Sequence, residues 1–103
     1  MNIAQYTKAA SLEEAWELNQ KRSAVVLGGC CWLRLSPQRR IAQAIDLSAL
    51  GLDQIEEGED SFRLGAMVTL GQLEGHDGLA AFTQGAMKEA VRHIVGTQFR
   101  NMA

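Results

Sequence analysis

The chain has 103 residues, 47% of them hydrophobic, a formal charge of −2 and two cysteines. That is a small domain's worth of sequence, apolar enough to bury a core and so not a disordered chain, yet below the usual size of a complete nucleotide-dependent enzyme. The near-neutral charge excludes a surface tuned for nucleic acid or anionic membrane, and no apolar run reaches the roughly 20 residues that span a bilayer.

Residues 1–10 lack the basic-then-apolar layout of a secretory signal, so a cytoplasmic protein is expected. Asn2 to Tyr6 reads as a short first strand. Ser11-Leu12-Glu13-Glu14 then matches a capping box, with the Ser11 hydroxyl accepting from the Glu14 N–H and the Glu14 carboxylate accepting from the Ser11 N–H. A helix is predicted from about Leu12 to Lys21. Leu12, Ala15 and Trp16 share its inner face, Trp16 is the expected core anchor, and Glu17 and Lys21 are ordered for an i,i+4 pair.

Ala24 to Leu27 reads as a buried strand, so strand, helix and strand form a βαβ unit with both strands parallel. Gly28 and Gly29 follow at its carboxyl end, where open α/β sheets bind ligands. Successive N–H groups in such a turn form an anion-binding concavity, although two glycines after a strand also fit a plain tight turn. Cys30, Cys31 and Trp32 follow in place of a third glycine opening a helix, which excludes a conventional dinucleotide fingerprint. The adjacent cysteines cannot close an ordinary disulfide loop and lack a four-ligand zinc set, so they are read as reduced thiols.

Arg34 to Arg40, with Pro37, is a predicted surface loop whose Arg39 and Arg40 are a solvated basic pair. Ile41 to Leu47 is the third strand, and Asp46 is assigned a turn or cap role. Past Leu52 the pattern changes, and a second subdomain is expected to begin. Gln54 to Glu57 and Phe62 to Val68 flank Gly58-Glu59-Asp60 as an antiparallel hairpin, with Gly65 at a bulge or close approach. Thr69 to Gln72 is a second capping box, starting a short helix that ends near Gly75 to Gly78, with His76 exposed at its end. The longest helical pattern runs from Leu79 to Val95, with Phe82, Met87, Ala90, Val91, Ile94 and Val95 on its apolar face. Gly96 reads as its C′ residue, and His93 near its end complements the helix dipole.

Five short motifs recur in order along the chain: Ser-Leu-Glu-Glu-Ala at 11–15, Val-Leu-Gly-Gly at 26–29, Ala-Ile-Asp-Leu-Ser at 44–48, Leu-Gly-Ala-Met-Val-Thr-Leu at 64–70 and Val-Gly-Thr-Gln-Phe-Arg-Asn at 95–101. Their sequence and spacing resemble the FAD-binding subunit or domain of molybdenum hydroxylases, the xanthine dehydrogenase and aerobic carbon monoxide dehydrogenase group. The resemblance implies an α+β fold of the PCMH-like FAD-binding type. Residues 1–52 would form an N-terminal βαβ FAD-binding subdomain, and residues 53–103 the start of a middle antiparallel subdomain.

It further implies that Leu27, Gly28, Gly29 and Cys30 give backbone contacts to the FAD phosphates. Val25 and Val26 would line the approach, Trp32 would touch the cofactor, and Ile94 would lie toward the flavin. The implied partners are iron–sulfur and molybdopterin subunits, which pass electrons to the flavin and on to NAD or another acceptor. Where the family continues Gly-Gly with Thr and an acid or amide, this chain has Cys30 and Cys31, losing side-chain contacts to the phosphates. The family's second glycine-rich loop follows its Arg-Asn motif, and the sequence stops at Ala103 before such a loop. The chain is therefore expected to be a front portion, to bind FAD weakly or not at all, to be inactive alone, and to self-associate through an unfinished sheet edge. The alternative from another class is a non-catalytic assembly module in which the glycine turn is only a turn. A third is redox sensing by the Cys30-Cys31 pair.

Overall fold

A computed structural model of the chain describes residues 1–103. The chain divides into two units, Met1–Leu52 and Asp53–Ala103.

The first unit is a parallel sheet of β1 (Asn2–Lys8), β2 (Ala24–Leu27) and β3 (Arg40–Asp46), with α1 (Leu12–Leu18) between β1 and β2. The spatial order is β1-β3-β2, so β1 and β2 are parallel but lie on either side of β3 rather than side by side. A central parallel strand needs cover on both faces, and neighbouring residues of a strand point to opposite faces. The β-branched and small residues of β3 meet that need: Ala44 and Ile45 are both fully buried, as is Ile41. Across the sheet, Tyr6 and Val25 flank Ala44, while Lys8 and Leu27 flank Asp46. Parallel direction and matched register bring the carboxyl ends of all three strands to one edge.

The capping signal that starts α1 is present, with one difference. The Ser11 hydroxyl accepts from the Glu14 N–H at 3.1 Å, but the Glu14 carboxylate accepts from the Ala10 N–H at 3.3 Å instead of Ser11. The helix ends at Leu18, three residues before the expected Lys21, because no apolar residue follows to hold another turn against the sheet. The Gln20 carboxamide donates to the Trp16 carbonyl at 2.8 Å, satisfying one freed acceptor. Trp16 is not the core anchor: it is 67% exposed, and Leu12 is exposed too. Ala15 takes that place against Ala9 and Ile45, with Leu18, Ala24, Leu47 and Leu50 around them. The small Ala15 side chain lets the helix backbone approach the sheet, which leaves the larger rings of its neighbours outside. Two single 3₁₀ turns, Leu33–Leu35 and Ser48–Leu50, complete the unit, the second ended by Gly51 at φ 66°.

The second unit begins with the antiparallel hairpin of β4 (Ile55–Glu57) and β5 (Phe62–Leu64). Its turn is closed by the Gly58 N–H donating to the Ser61 carbonyl at 2.8 Å. The second strand stops at Leu64, short of the expected Val68, and Gly65 adds one further ladder bond to the Gln54 carbonyl rather than forming a bulge. The helix α2 (Leu70–Gly75) opens on a complete capping box between Thr69 and Gln72. His76 is not an exposed helix end: it is half-buried, its Nδ1 accepts from the Leu79 N–H at 3.0 Å, and it caps α3 (Asp77–Phe82). Its ring also meets the edge of Phe62, which in turn contacts Phe82.

The single long helix predicted from Leu79 to Val95 is broken. After α3 the chain turns at Thr83, Gln84 and Gly85 before α4 (Ala86–Val91). The Gly85 N–H reaches the Ala80 carbonyl and the Gln84 N–H the Ala81 carbonyl, the paired bonds of a Schellman motif, with Gln84 left-handed at φ 54°. Thr83 serves both sides, donating to the Leu79 carbonyl and accepting from the Met87 N–H. Leu79 and Val91 are buried, whereas Phe82 and Val95 of the expected apolar face are exposed. With the helix ending at Val91, His93 lies beyond it, 3.3 Å from the Glu89 carboxylate. Gly96 is not its C′ residue but precedes α5 (Thr97–Arg100) as N-cap.

Candidate functional site

At the carboxyl edge of the parallel sheet, β2 ends at Leu27 and the chain turns away through Gly28 and Gly29. Gly29 and Cys30 are both left-handed, at φ 51° and 60°. For Cys30, which has a Cβ, that conformation costs about 1 kcal/mol, a strain that must be held by its surroundings. The Cys30 N–H donates to the Gly28 carbonyl and tightens the turn. Neither the Gly28 nor the Gly29 N–H donates to a main-chain carbonyl there. A Cβ placed on Gly28 would meet nothing within 4 Å. Two backbone donors with open space above one of them leave room for an anionic group.

Of the other residues singled out from the sequence, Val25, Val26 and Leu27 lie in β2, opposite Ala44, Ile45 and Asp46, and lead directly into the turn. Trp32 is exposed and heads the 3₁₀ turn after it. Cys31 is buried, its thiol 3.9 Å from the Gly29 carbonyl, and neither cysteine is in a disulfide. Ile94 is half-buried in the second unit.

Asp46 takes the turn role expected of it and adds a partner the sequence did not reveal. One carboxylate oxygen accepts from the Ser48 N–H at 2.8 Å, and the other accepts from the Tyr6 hydroxyl, 40 residues away. The Tyr6 bond, then the Ser48 bond, hold the Asp46 carboxyl below the usual carboxylate range. The same bond pushes the Tyr6 phenol up. The alternation of β1 gave the signal in part, since it sets Tyr6 and Lys8 on the same face. A hollow of about 500 Å³ lies at the opposite, amino-terminal end of the strands, lined by Asn2, Ile3, Ala4, Ser23, Arg40, Ile41 and Ala42. It lacks the glycine turn and the strand-end amides that define the site.

In the second unit the unforeseen residue is Arg100, buried to 6% exposure. Its Nε donates to Glu74 at 2.7 Å, Nη1 to the Ile94 and Val95 carbonyls at 3.0 and 3.2 Å, and Nη2 to the Thr97 hydroxyl at 3.4 Å. Val95 is left-handed at φ 52°, an outlier for a β-branched residue that costs about 1–2 kcal/mol. No group of three or more His, Cys, Asp or Glu residues is placed to hold a metal ion, and no helix is long and apolar enough to cross a membrane.

Residues 2–103 match the family model described as the FAD binding domain in molybdopterin dehydrogenase. Among solved structures, the Cu,Mo-CO dehydrogenase in its cyanide-inactivated form is 26% identical with a TM-score of 0.85, over 99% of this chain and 37% of that one. Carbon monoxide dehydrogenase from Hydrogenophaga pseudoflava, in a form lacking the Mo-pyranopterin moiety, is 25% identical with a TM-score of 0.84, over 96% of this chain and 36% of that one. Quinoline 2-oxidoreductase from Pseudomonas putida 86 shares the fold, at 19% identity and a TM-score of 0.83 over 100% of this chain and 37% of that one. The chain thus spans little more than a third of the length of these relatives. No curated protein sequence matches it significantly. With a family match running over nearly every residue and an α+β fold shared with these enzymes, the chain belongs to the FAD-binding domain family of the molybdenum hydroxylases.

Proposed function

We propose that this chain is the FAD-holding portion of a molybdenum hydroxylase-type oxidoreductase that works beside iron–sulfur and molybdopterin subunits in the cytoplasm. When bound, FAD supplies the redox chemistry, taking electrons from the iron–sulfur partner and passing them to NAD or another acceptor. The protein's part is to bind and orient. The Gly28 and Gly29 N–H groups donate to the diphosphate, and Leu27 fixes the point at which the strand releases them. Cys30 joins them if its N–H leaves the Gly28 carbonyl. Val25 and Val26 line the approach, and Trp32 offers a ring face to the cofactor. The observation that carries this is the open space over Gly28 at the end of a parallel strand, with two N–H groups that no main-chain carbonyl takes.

We expect a polypeptide of these 103 residues to bind FAD weakly, to lack electron transfer alone, and to self-associate through the short two-stranded sheet, in which neither strand pairs with a third. Titration with FAD, followed by flavin fluorescence, tests the assignment: weak saturable quenching supports it, and no quenching at any concentration refutes it. A competing role as a non-catalytic assembly module draws on a different observation, the Cys30 N–H closed on Gly28 within the turn itself. Saturable FAD binding that competes with ADP would exclude that alternative.

A further inference from the structure

We infer that Lys8 is a further binding residue of the glycine turn, its ammonium supplying positive charge to the diphosphate, and that Tyr6 keeps Lys8 free by engaging the carboxylate that would otherwise pair with it. This role rests on the function proposed above and deepens it, adding the charge that backbone amides lack.

The turn follows Leu27, and the register partner of Leu27 on β3 is Asp46, whose carboxyl is held below the usual carboxylate range and so is ionised at neutral pH. A diphosphate over the turn meets that negative charge one strand away, and a cation at the same edge would offset it. The register supplies one. On the other side of Asp46 stands Lys8, the last residue of β1. Register partners project to the same face of a sheet, so Lys8, Asp46 and Leu27 form a row across its carboxyl edge. The bond to Asp46 from Tyr6, two residues before Lys8, lies on that face. Strands about 4.8 Å apart set the Lys8 and Leu27 backbones about 9.6 Å apart across β3. A lysine side chain extends about 6 Å from its Cα, which brings its ammonium within reach of an anion standing between the two.

Lys8 is exposed and joins none of the chain's ion pairs, which link Arg92 and His93 to Glu89 and Arg100 to Glu74. The chemistry of its neighbour accounts for that. One Asp46 oxygen accepts from the Ser48 N–H and the other from the Tyr6 hydroxyl, so both are already engaged, and Lys8 adds only a lesser attraction. A compact ammonium on a flexible stem suits a phosphate as a point charge.

The test titrates the whole chain with ADP, which carries the diphosphate, and follows the Gly28 and Gly29 amides by NMR. Lys8 is exposed, so its variants fold, and amide spectra recorded before ADP is added verify this. Lys8→Gln weakens ADP binding about tenfold, the size of one lost charge-assisted hydrogen bond at the low end of its range. It also flattens the loss of affinity that the wild type shows on going from low to high salt, whereas Lys8→Arg keeps most of the affinity. Arg40→Gln is the control: it removes the same charge from the same face at the amino end of β3, where Arg40 pairs with Asn2, and leaves ADP binding unchanged. Tyr6→Phe releases an Asp46 oxygen to Lys8 and weakens ADP binding measurably, with no further loss when it is added to Lys8→Gln. ADP affinity unchanged in Lys8→Gln, while the Gly28 and Gly29 signals still move, overturns the Lys8 role and leaves the FAD assignment standing. An equal loss in Arg40→Gln does the same, since it marks net charge rather than contact. Wild-type affinity in Tyr6→Phe overturns the part given to Tyr6. Gly28 and Gly29 signals that ADP leaves fixed in the wild type overturn both the Lys8 role and the FAD assignment.

Discussion

Replacing Gly28 with alanine separates folding from binding. The new Cβ meets no atom within 4 Å, and the Gly28 φ lies outside the left-handed range. The folded state therefore accommodates it, and the loss of unfolded-state freedom makes the change neutral or stabilising by about 0.4–1 kcal/mol. Under the proposed role, the same methyl group stands in the open space beside the turn's N–H groups, where the phosphate is proposed to enter. Forfeiting one charge-assisted hydrogen bond costs about 1.5–3 kcal/mol, a loss of roughly ten- to hundredfold in affinity. Thermal melting by circular dichroism and ADP titration by calorimetry or NMR read the two effects on one sample. A variant that melts at or above the wild-type temperature and binds ADP at least tenfold more weakly agrees with the phosphate role. Undiminished ADP binding in a well-folded Gly28→Ala protein would refute it.

Three further outcomes follow from the packing. Tyr6→Phe removes the hydroxyl that holds the Asp46 carboxyl low. That carboxylate contributes stability above about pH 4, lost as pH falls through its depressed value, whereas the raised Tyr6 phenol contributes stability below about pH 10, lost as pH rises through its own value. Melting temperature against pH should thus fall less steeply in the variant at both ends, and an unchanged profile would show that the bond adds nothing. Gly71→Ala and Gly75→Ala both gain roughly 1 kcal/mol of helix propensity in α2, but only the first collides, with the Asn101 carboxamide and with the Arg100 carbonyl at 3.2 Å. Since overpacking costs about 1–3 kcal/mol, Gly71→Ala should melt below the wild type and Gly75→Ala above it. Gln84→Gly relieves the left-handed strain between α3 and α4, and chemical denaturation should show a gain of about 1 kcal/mol.

Much of the first unit was legible because its signals are local. A β-branched run names β2, a Ser-to-Glu spacing names the start of α1, and a glycine pair names the turn. What failed was the assumption that the largest apolar residue faces inward. Over a three-stranded sheet a close helix needs a small residue, so Ala15 is buried and Trp16 is not. The long helix failed because hydrophobic spacing survives a three-residue break: Leu79, Met87 and Val91 keep helical phase across Thr83–Gly85. Gly85, within the run, was the available warning. Arg100 was invisible for a different reason. Its partners lie 26 residues back at Glu74 and in main-chain carbonyls, neither of which leaves a trace in periodicity. The Tyr6–Asp46 bond, spanning 40 residues, was hidden in the same way.

Amide-resolved NMR of the labelled wild-type chain during addition of FAD tests the central claim most directly. The account predicts progressive, saturable shifts of the Gly28 and Gly29 signals that ADP reproduces. Signals of those two residues that stay fixed through the titration, or movement confined to other parts of the chain, would contradict it.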